Sequence, residues 1–145
     1  MPFGAECNDD GSVRFRLWAP AAHKVELSLA NSSLRLPMDL GETGWFEVVT
    51  DAAAPGTIYT FRINGEQEVP DPASRFQPRD VHGPSEVINP RAFDWQDGNW
   101  QGRHWEEAVI YEMHVGAFTS GGTFHEAAKR LDYLEDLGIT ALELM

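Results

Sequence analysis

The sequence predicts an antiparallel β-sandwich over residues 1–90 and, after a connecting segment, a strand–helix–strand unit over residues 107–145. Two observations lead to this prediction. Between Val13 and Ile88 apolar residues alternate with polar ones, and this period of two is typical of half-buried strands. After Glu107 the pattern changes to two apolar runs with a helical period between them, which is the pattern of a β-α-β unit.

In the first half, short alternating segments predict the strands. Val13, Phe15 and Leu17 share one face of the first segment, while Arg14 and Arg16 share the other. Short strands at this spacing, with no helical period between them, favour an antiparallel sandwich. The predicted strands are residues 13–17, 25–29, 34–38, 45–49 and 58–63, with a short last strand at 85–88.

Turn-forming residues separate these strands. Ala19-Pro20, residues 41–44 and Pro55-Gly56 each supply proline or glycine between two alternating segments. Asn64-Gly65 is the strongest hairpin signal, because both residue types tolerate the positive φ of a type I′ turn. We therefore expect a hairpin directly after residues 58–63.

Prolines and aromatics dominate the middle of the chain. Between Pro70 and Pro90 the prolines exclude a long helix or an interior strand. Residues 91–106 are predicted to be an aromatic-rich linker that is packed down by its large rings. These rings are Phe93, Trp95, Trp100 and Trp105.

The last segment predicts two buried parallel strands around one helix. Residues 109–115 and 139–145 are apolar enough to be buried on both faces. Thr123 offers an N-cap and Glu126 the acid of a capping box, while Gly138 supplies the left-handed residue after the helix. One helical stripe joins Phe124, Ala127, Leu131, Leu134 and Leu137. Because two strands and one helix cannot cover both faces of a sheet, this unit is expected to begin a larger domain.

Composition excludes several classes of function. With 11 Lys and Arg against 23 Asp and Glu, the formal net charge is −12, which disfavours nucleic-acid and membrane-surface partners. Cys7 is the single cysteine, and the first residues lack both the basic and the apolar region of a signal peptide. These features predict a cytoplasmic protein.

The sequence indicates no cofactor, metal or nucleophile site. The five histidines form no i,i+4 pair and have no cysteine at metal-ligand spacing. Gly121-Gly122 does not follow a strand in the manner of a phosphate-binding loop, and no serine stands in a nucleophile elbow. The five tryptophans leave two interpretations open: they fill the sandwich core and its seam with a second domain, or an exposed pair stacks on sugar rings.

Several motifs resemble one enzyme family. Phe15-Arg16-Leu17-Trp18-Ala19-Pro20 resembles the first strand of the immunoglobulin-like N-terminal domain of isoamylases, glycogen branching enzymes and trehalohydrolases, and residues 55–65 resemble its late hairpin. Residues 69–78 and 81–87 are more specific and resemble maltooligosyltrehalose trehalohydrolases of the α-amylase superfamily. Residues 105–119 and 138–145 are similar to the first two strands of the barrel in these enzymes.

The resemblance implies the front part of a retaining glycoside hydrolase. Such an enzyme has an isoamylase-type domain before a (β/α)₈ barrel, and it releases trehalose by cleaving the α-1,4 bond next to the trehalose end of maltooligosyltrehalose. Its reaction uses two carboxyl groups about 5–5.5 Å apart. In the family these follow the fourth and fifth strands, with a further Asp after the seventh, so all would lie beyond Met145. We therefore expect a fragment with a truncated barrel that is inactive by itself.

The resemblance also sets the expected partners and the alternatives. The parent enzyme would bind malto-oligosaccharide or maltooligosyltrehalose, and the sandwich would dock on its own barrel. Two alternatives remain: the amino-terminal region of a glycogen branching enzyme, and a stand-alone α-glucan-binding module.

Three polar residues are expected inside the barrel. With strand alternation, Glu112 and His114 share a face with Gly116, and Glu143 lies on the equivalent face of the second strand. They could form an acid–base cluster, but a buried hydrogen-bond network that supports the barrel is favoured. A barrel active site draws loops from many strands, and two strands cannot enclose a sugar.

Overall fold

A computed structural model describes residues 3–30 and 32–145. The chain divides into two compact units, with the boundary between Asp94 and Trp95. In the first unit the strands are β1 (Glu6–Cys7), β2 (Val13–Trp18), β3 (Val25–Leu29), β4 (Arg35–Pro37), β5 (Asp39–Leu40), β6 (Trp45–Thr50), β7 (Ile58–Ile63), β8 (Gln67–Val69) and β9 (Ser85–Glu86).

These strands form two antiparallel sheets. One sheet has the order β1-β2-β6-β5, and the other has the order β4-β3-β7-β8 with β9 paired to β7. Both sheets contribute to one core, in which the rings of Phe15 and Tyr59 meet edge to face at 4.8 Å between centroids. The predicted all-β sandwich is therefore confirmed.

The alternation in β2 fixes which residues enter this core. Val13, Phe15 and Leu17 are buried, while Arg14 and Arg16 lie on the outer face beside Glu47 of β6. At the Asn64-Gly65 turn both residues have positive φ, 52° and 77°, and the Glu66 N–H donates to the Ile63 carbonyl at 3.1 Å. The predicted hairpin is confirmed, because β7 pairs with β8 directly after this turn.

The predicted strand at residues 34–38 is only partly correct. The observed strand β4 is shorter, and of Leu34, Leu36 and Met38 only Met38 is buried. β4 lies at an edge of its sheet and ends at Pro37, which has no N–H to donate to a ladder. The two-residue strands β1 and β5 were not predicted, since two residues show no period.

The aromatic rings of residues 91–106 are exposed, so the packed linker predicted for this segment is not observed. Phe93, Trp95, Trp100 and Trp105 are all largely solvent-accessible. The segment forms only short 3-10 turns, at Pro90–Ala92 and Trp105–Glu107, and therefore offers no regular apolar face for its own rings.

The second unit contains β10 (Ile110–Met113), β11 (Ala141–Leu144) and three short helices, α1 (Val115–Phe118), α2 (Phe124–Ala128) and α3 (Leu131–Asp136). β10 and β11 are parallel, as expected for the ends of a β-α-β unit. The Thr123 side chain accepts from the Glu126 N–H at 3.2 Å, and Gly138 has φ +89° after α3. Both predicted helix signals are confirmed.

The single predicted helix is instead two helices, and the first strand is shorter than expected. The helical stripe breaks at Arg130, whose N–H donates to Ala127 three residues back rather than four, so α3 starts anew. Ala127 and Leu134 are buried, but Phe124, Leu131 and Leu137 are exposed. The strand pattern ends at Met113 because α1 begins after it, which also puts Gly116 in a helix rather than on a strand face.

Candidate functional site

The predicted residues Glu112 and Glu143 come together on the parallel strands. They are direct partners in the register of β10 and β11, so their side chains leave the same face of the sheet. This face is exposed at Glu112 and Glu143, whereas Met113 on the opposite face is buried and Tyr111 contacts the ring of Phe118 in α1. Helix α1 therefore contacts the other face at β10, while Leu142 and Leu144 on that face of β11 are exposed.

His114 does not join this pair. It follows the end of β10 and starts α1, where its backbone carbonyl accepts from the Ala117 and Phe118 N–H groups at 2.9 and 3.0 Å. Its side chain makes no capping hydrogen bond and is exposed. The prediction that all three residues support a barrel interior stays a prediction.

The more developed site lies in the first unit, around Trp18. Trp18 follows Arg14 and Arg16 on the outer face of β2 and is 59% exposed, so it does not fill the sandwich core. Its indole N–H donates to the Thr43 carbonyl at 3.0 Å, which fixes the ring while satisfying its polar group. The ring thus presents an apolar face in a defined orientation.

The turn behind Trp18 is held tightly. The Ala19 N–H donates to the Gly44 carbonyl at 2.9 Å, and Gly44 has φ +85°. A Cβ at Gly44 would lie 2.6 Å from the Cα of Pro20, so only glycine permits this approach. The backbone that carries Trp18 and its hydrogen-bond acceptor therefore has little freedom to move.

Trp45 differs from Trp18 because its ring is already engaged. It pairs with Trp18 across β2 and β6 and is half-buried. Phe3 stacks on it at 5.3 Å between centroids, and the Arg16 guanidinium lies 4.6 Å from its centroid. Arg16 also pairs with Glu47 at 2.9 Å, so this cluster forms a firm wall beside Trp18.

Two shallow depressions meet at Trp18, and we call them together the Trp18 groove. The larger, of about 550 Å³, is bounded by residues 19–22 and by Ile63, Asn64 and Val69. The smaller, of about 290 Å³, is bounded by Phe3, Arg16, Trp45 and Ala73. Leu17, Trp18 and Pro72 line both parts, so the two depressions adjoin at these three residues.

A buried polar network supports one wall of this groove. The Tyr59 hydroxyl donates to Asp71 Oδ2 at 2.7 Å, the Ala73 N–H donates to Asp71 Oδ1 at 2.7 Å, and the Asp71 N–H donates to Ser85 Oγ at 3.0 Å. Burial raises the pKa of Asp71, and the hydrogen bonds from Tyr59 and Ala73 and the charge of Arg75 oppose this shift. Burial and the Asp71 carboxylate raise the pKa of Tyr59.

Sequence reasoning missed this network but contained a signal for Trp18. Asp71 stands between two prolines, a pattern of loops, and its partner Tyr59 is not a local neighbour, so no periodicity connects them. By contrast, position 18 continues the outward-facing series 14, 16 in β2. The alternation therefore predicts an exposed Trp18.

Other site classes find no support among the described residues. Residues 3–30 and 32–145 contain no group of three His, Cys, Asp or Glu side chains placed to hold a metal ion. Within the same residues, no helix has the length and apolar character needed to cross a membrane.

Comparison with known proteins gives one family and a consistent set of relatives. The family model of carbohydrate-binding module 48, the isoamylase N-terminal domain, matches residues 2–79. The malto-oligosyltrehalose trehalohydrolase of Saccharolobus solfataricus is 45% identical over 145 residues, 100% of this chain and 25% of that protein. A 1,4-alpha-glucan branching enzyme of Kitasatospora aureofaciens is 29% identical over 148 residues, 92% of this chain and 19% of that enzyme.

Solved structures agree with this result. A Salmonella typhimurium protein described as an alpha amylase has a TM-score of 0.86 at 45% identity, over 99% of this chain and 24% of its own. A pullulanase of Paenibacillus barengoltzii, solved with maltohexaose and alpha-cyclodextrin, has a TM-score of 0.73 at 26% identity, over 98% of this chain and 26% of its own. The chain thus spans about a quarter of the length of these relatives.

Proposed function

The chain belongs to the carbohydrate-binding module 48 family, and we propose that it is the amino-terminal part of an α-glucan hydrolase that releases trehalose from maltooligosyltrehalose. The observation that carries this proposal is the identity to a trehalohydrolase along the full length of the chain. The branching-enzyme alternative is weaker, because the identity to that relative is clearly lower.

Under this proposal, β10 and β11 are the first two strands of a (β/α)₈ barrel. Their parallel pairing, with α1, α2 and α3 between them in sequence, is what a barrel repeat requires. We divide the chain into a sandwich at residues 1–90, a linker at 91–106 and the start of the barrel at 107–145. The boundary between the two compact units falls within this linker.

The face that carries Glu112 and Glu143 would turn toward the barrel interior. Its opposite face is the one on which Met113 is buried, which supports this orientation. Carboxylates inside a barrel need hydrogen-bond or charge partners, which other strands would have to supply. We therefore assign Glu112, Glu143 and the neighbouring His114 to a supporting network rather than to catalysis.

The proposed chemistry follows the retaining route. A carboxylate attacks the anomeric carbon of the glucose next to the trehalose unit, while a carboxylic acid protonates the departing oxygen; water then releases the sugar from the covalent intermediate. We assign neither role to a residue of this chain. The contribution of the sandwich would be structural, through docking on the barrel, and the parent enzyme would act in the cytoplasm, in trehalose formation.

The experiment compares this chain with the complete product of its gene. Both are incubated with maltooligosyltrehalose and, separately, with amylose. We expect the complete product to release free trehalose, measured by chromatography, and the 145-residue chain to release none. Trehalose release by the chain itself would contradict its assignment as non-catalytic.

The second substrate separates the hydrolase from its rival. A branching enzyme would create α-1,6 links in amylose, which debranching followed by chain-length analysis detects, and would release no trehalose. That result would replace the proposed activity by the alternative.

A further inference from the structure

We propose that Asn64 is a self-modification site, at which the backbone of Gly65 converts the asparagine into aspartate and isoaspartate with release of ammonia. Both residues belong to the turn of the β7–β8 hairpin. The reaction needs water and no other partner, and it is independent of the activity proposed for the parent enzyme.

The modification replaces the side-chain amide by a carboxylate in two steps. In the first, the Gly65 nitrogen attacks Asn64 Cγ, and the new N–Cγ bond closes a succinimide ring. The Cγ–Nδ2 bond breaks, and the proton of the Gly65 N–H leaves with Nδ2 as ammonia. In the second step water cleaves one of the two ring C–N bonds. Cleavage at Cγ gives aspartate, and cleavage at the main-chain carbonyl carbon of Asn64 gives isoaspartate.

The attacking nitrogen of Gly65 is accessible. Of the five asparagines, only Asn64 precedes a glycine, which has no side chain to shield its nitrogen. A Cβ built on Gly65 would meet no atom within 4 Å beyond its chain neighbours. Among residues 3–30 and 32–145 no group accepts from the Gly65 N–H, because the Glu66 N–H closes the turn instead. The nitrogen is therefore free to approach Cγ without breaking a hydrogen bond.

Two backbone donors converge on the oxygen where negative charge develops. Asn64 Oδ1 accepts from the His23 N–H at 2.8 Å and from the Lys24 N–H at 3.2 Å. When the Gly65 nitrogen attacks Cγ, Oδ1 becomes an oxyanion, and hydrogen bonds to an ionised acceptor are stronger than those to a neutral amide. Two oriented backbone N–H groups at such an oxygen form the arrangement of an oxyanion hole. The fold thus stabilises the intermediate of the first step.

The donors are held in place by the sheet. The Asn64 N–H donates back to the Lys24 carbonyl at 2.9 Å, and the next residue, Val25, pairs with Ile63 in the register of β3 and β7. Asn64 is exposed, so water reaches the ring that forms there. Because an unfolded chain lacks both donors, folding should accelerate the modification.

The two products affect the hairpin differently. Aspartate presents a carboxylate oxygen to the same two N–H groups, so it should preserve the turn. Isoaspartate lengthens the main chain by one carbon and moves the carboxylate, so it cannot keep both bonds. Either product places a negative charge on the wall of the larger part of the Trp18 groove, which Asn64 lines.

The test is an incubation of the 145-residue chain in mildly alkaline buffer, followed by tryptic digestion and mass spectrometry of peptide 63–75. We expect this peptide to gain about one dalton and to separate into an aspartate and an isoaspartate form, with an equal amount of ammonia released. Gly65→Ala should slow the reaction by about tenfold or more, since its Cβ crowds the attacking nitrogen.

Asn89 and Asn99 are the internal controls. Pro90 after Asn89 has no N–H to lose, and the Trp100 N–H after Asn99 donates to the Asp97 carbonyl at 2.8 Å, so both asparagines should remain unmodified while Asn64 reacts. Asn99 is exposed like Asn64, which separates the effect of the turn from that of exposure.

A parallel incubation in urea at the same pH measures the contribution of the two donors, with circular dichroism as the check of folding. We expect the folded chain to react about tenfold faster than the unfolded chain, because charge-assisted hydrogen bonds are roughly twice as strong as neutral ones. Two results would overturn the proposal. An unchanged mass at Asn64 would mean that the hairpin protects the amide, and an equal or faster reaction in urea would mean that the His23 and Lys24 N–H groups do not assist it.

Discussion

Replacement of Asp71 by alanine should destabilise the sandwich by about 2–4 kcal/mol. Asp71 is only 3% exposed and accepts hydrogen bonds from the Tyr59 hydroxyl and the Ala73 N–H. Alanine would leave both donors without their acceptor. Each unsatisfied buried donor costs about 1–3 kcal/mol, and relief of the buried carboxylate offsets part of that loss.

Asp71→Asn separates the hydrogen bonds from the charge. The amide oxygen can still accept from Ala73, and the amide nitrogen can donate to the Tyr59 oxygen, so this variant should lose less than Asp71→Ala. Asp80→Ala is the matched surface control. Asp80 also accepts from two backbone N–H groups, those of His82 and Gly83 at 2.7 and 3.1 Å, but it is exposed. We expect it to cost about 1 kcal/mol or less.

The same variants predict a pH dependence. Burial raises the folded-state pKa of Asp71 above 3.8, the ordinary value for an aspartate side chain. The stability that this group contributes is therefore fully present below pH 3.8 and is lost as the pH rises through the folded-state pKa. Residue 71 does not titrate in Asp71→Asn. As the pH rises through the folded-state pKa of Asp71, the unmodified chain should therefore lose stability relative to this variant.

Urea unfolding at a series of pH values, followed by tryptophan fluorescence, measures both effects. If Asp71→Ala unfolded at the same urea concentration as the unmodified chain, the Asp71 hydrogen bonds would contribute nothing to stability. A gain in stability of the unmodified chain relative to Asp71→Asn as the pH rises would mean that the folded-state pKa of Asp71 is lowered, not raised.

Three further substitutions test other parts of the structure. Gly44→Ala should lower the free energy of unfolding by about 1–3 kcal/mol, measured by thermal unfolding, because Gly44 has a positive φ and lies against Pro20. Gly65→Ala is the control, since Gly65 has φ +77° but open space around it, and it should lower the stability clearly less. Equal losses for the two variants would contradict the tight turn at Gly44. Thr123→Ala removes the N-cap of α2 and should lower the stability of that helix by about 1 kcal/mol. Amide hydrogen exchange should become faster in α2 and stay unchanged in β7. Glu143→Gln removes one of the two like charges that the parallel register places opposite each other, and it should slightly raise the melting temperature of this chain; a lower value would argue against repulsion between Glu112 and Glu143.

The sandwich could be predicted from the sequence because its strands obey a local rule. In β2 and β7 every second side chain enters the core, and the Asn64-Gly65 turn has the φ values its residue types favour. The failures occur where the local rule competes with something else. β4 is cut short by Pro37, and the predicted single helix of the second unit divides at Arg130.

The candidate sites were less predictable because they depend on tertiary placement. Alternation alone put Glu112 on one strand face, and the parallel register then brought Glu143 beside it. Alternation could not place His114, because the strand ends one residue before it. Asp71 shows the limit most clearly: a carboxylate between two prolines looks like a solvated turn, and only the fold reveals Tyr59 as its partner.

The buried network and the Trp18 groove are parts of one structure. Asp71 is held inside the sandwich by Tyr59, while Pro72, the next residue, forms a wall shared by both parts of the groove. Proline has a fixed φ, so anchoring Asp71 also fixes the wall that follows it. On the other side Gly44 locks the turn that orients Trp18. A surface with both walls fixed from the inside is preorganised, so the groove would lose little conformational entropy on contact with any binding partner.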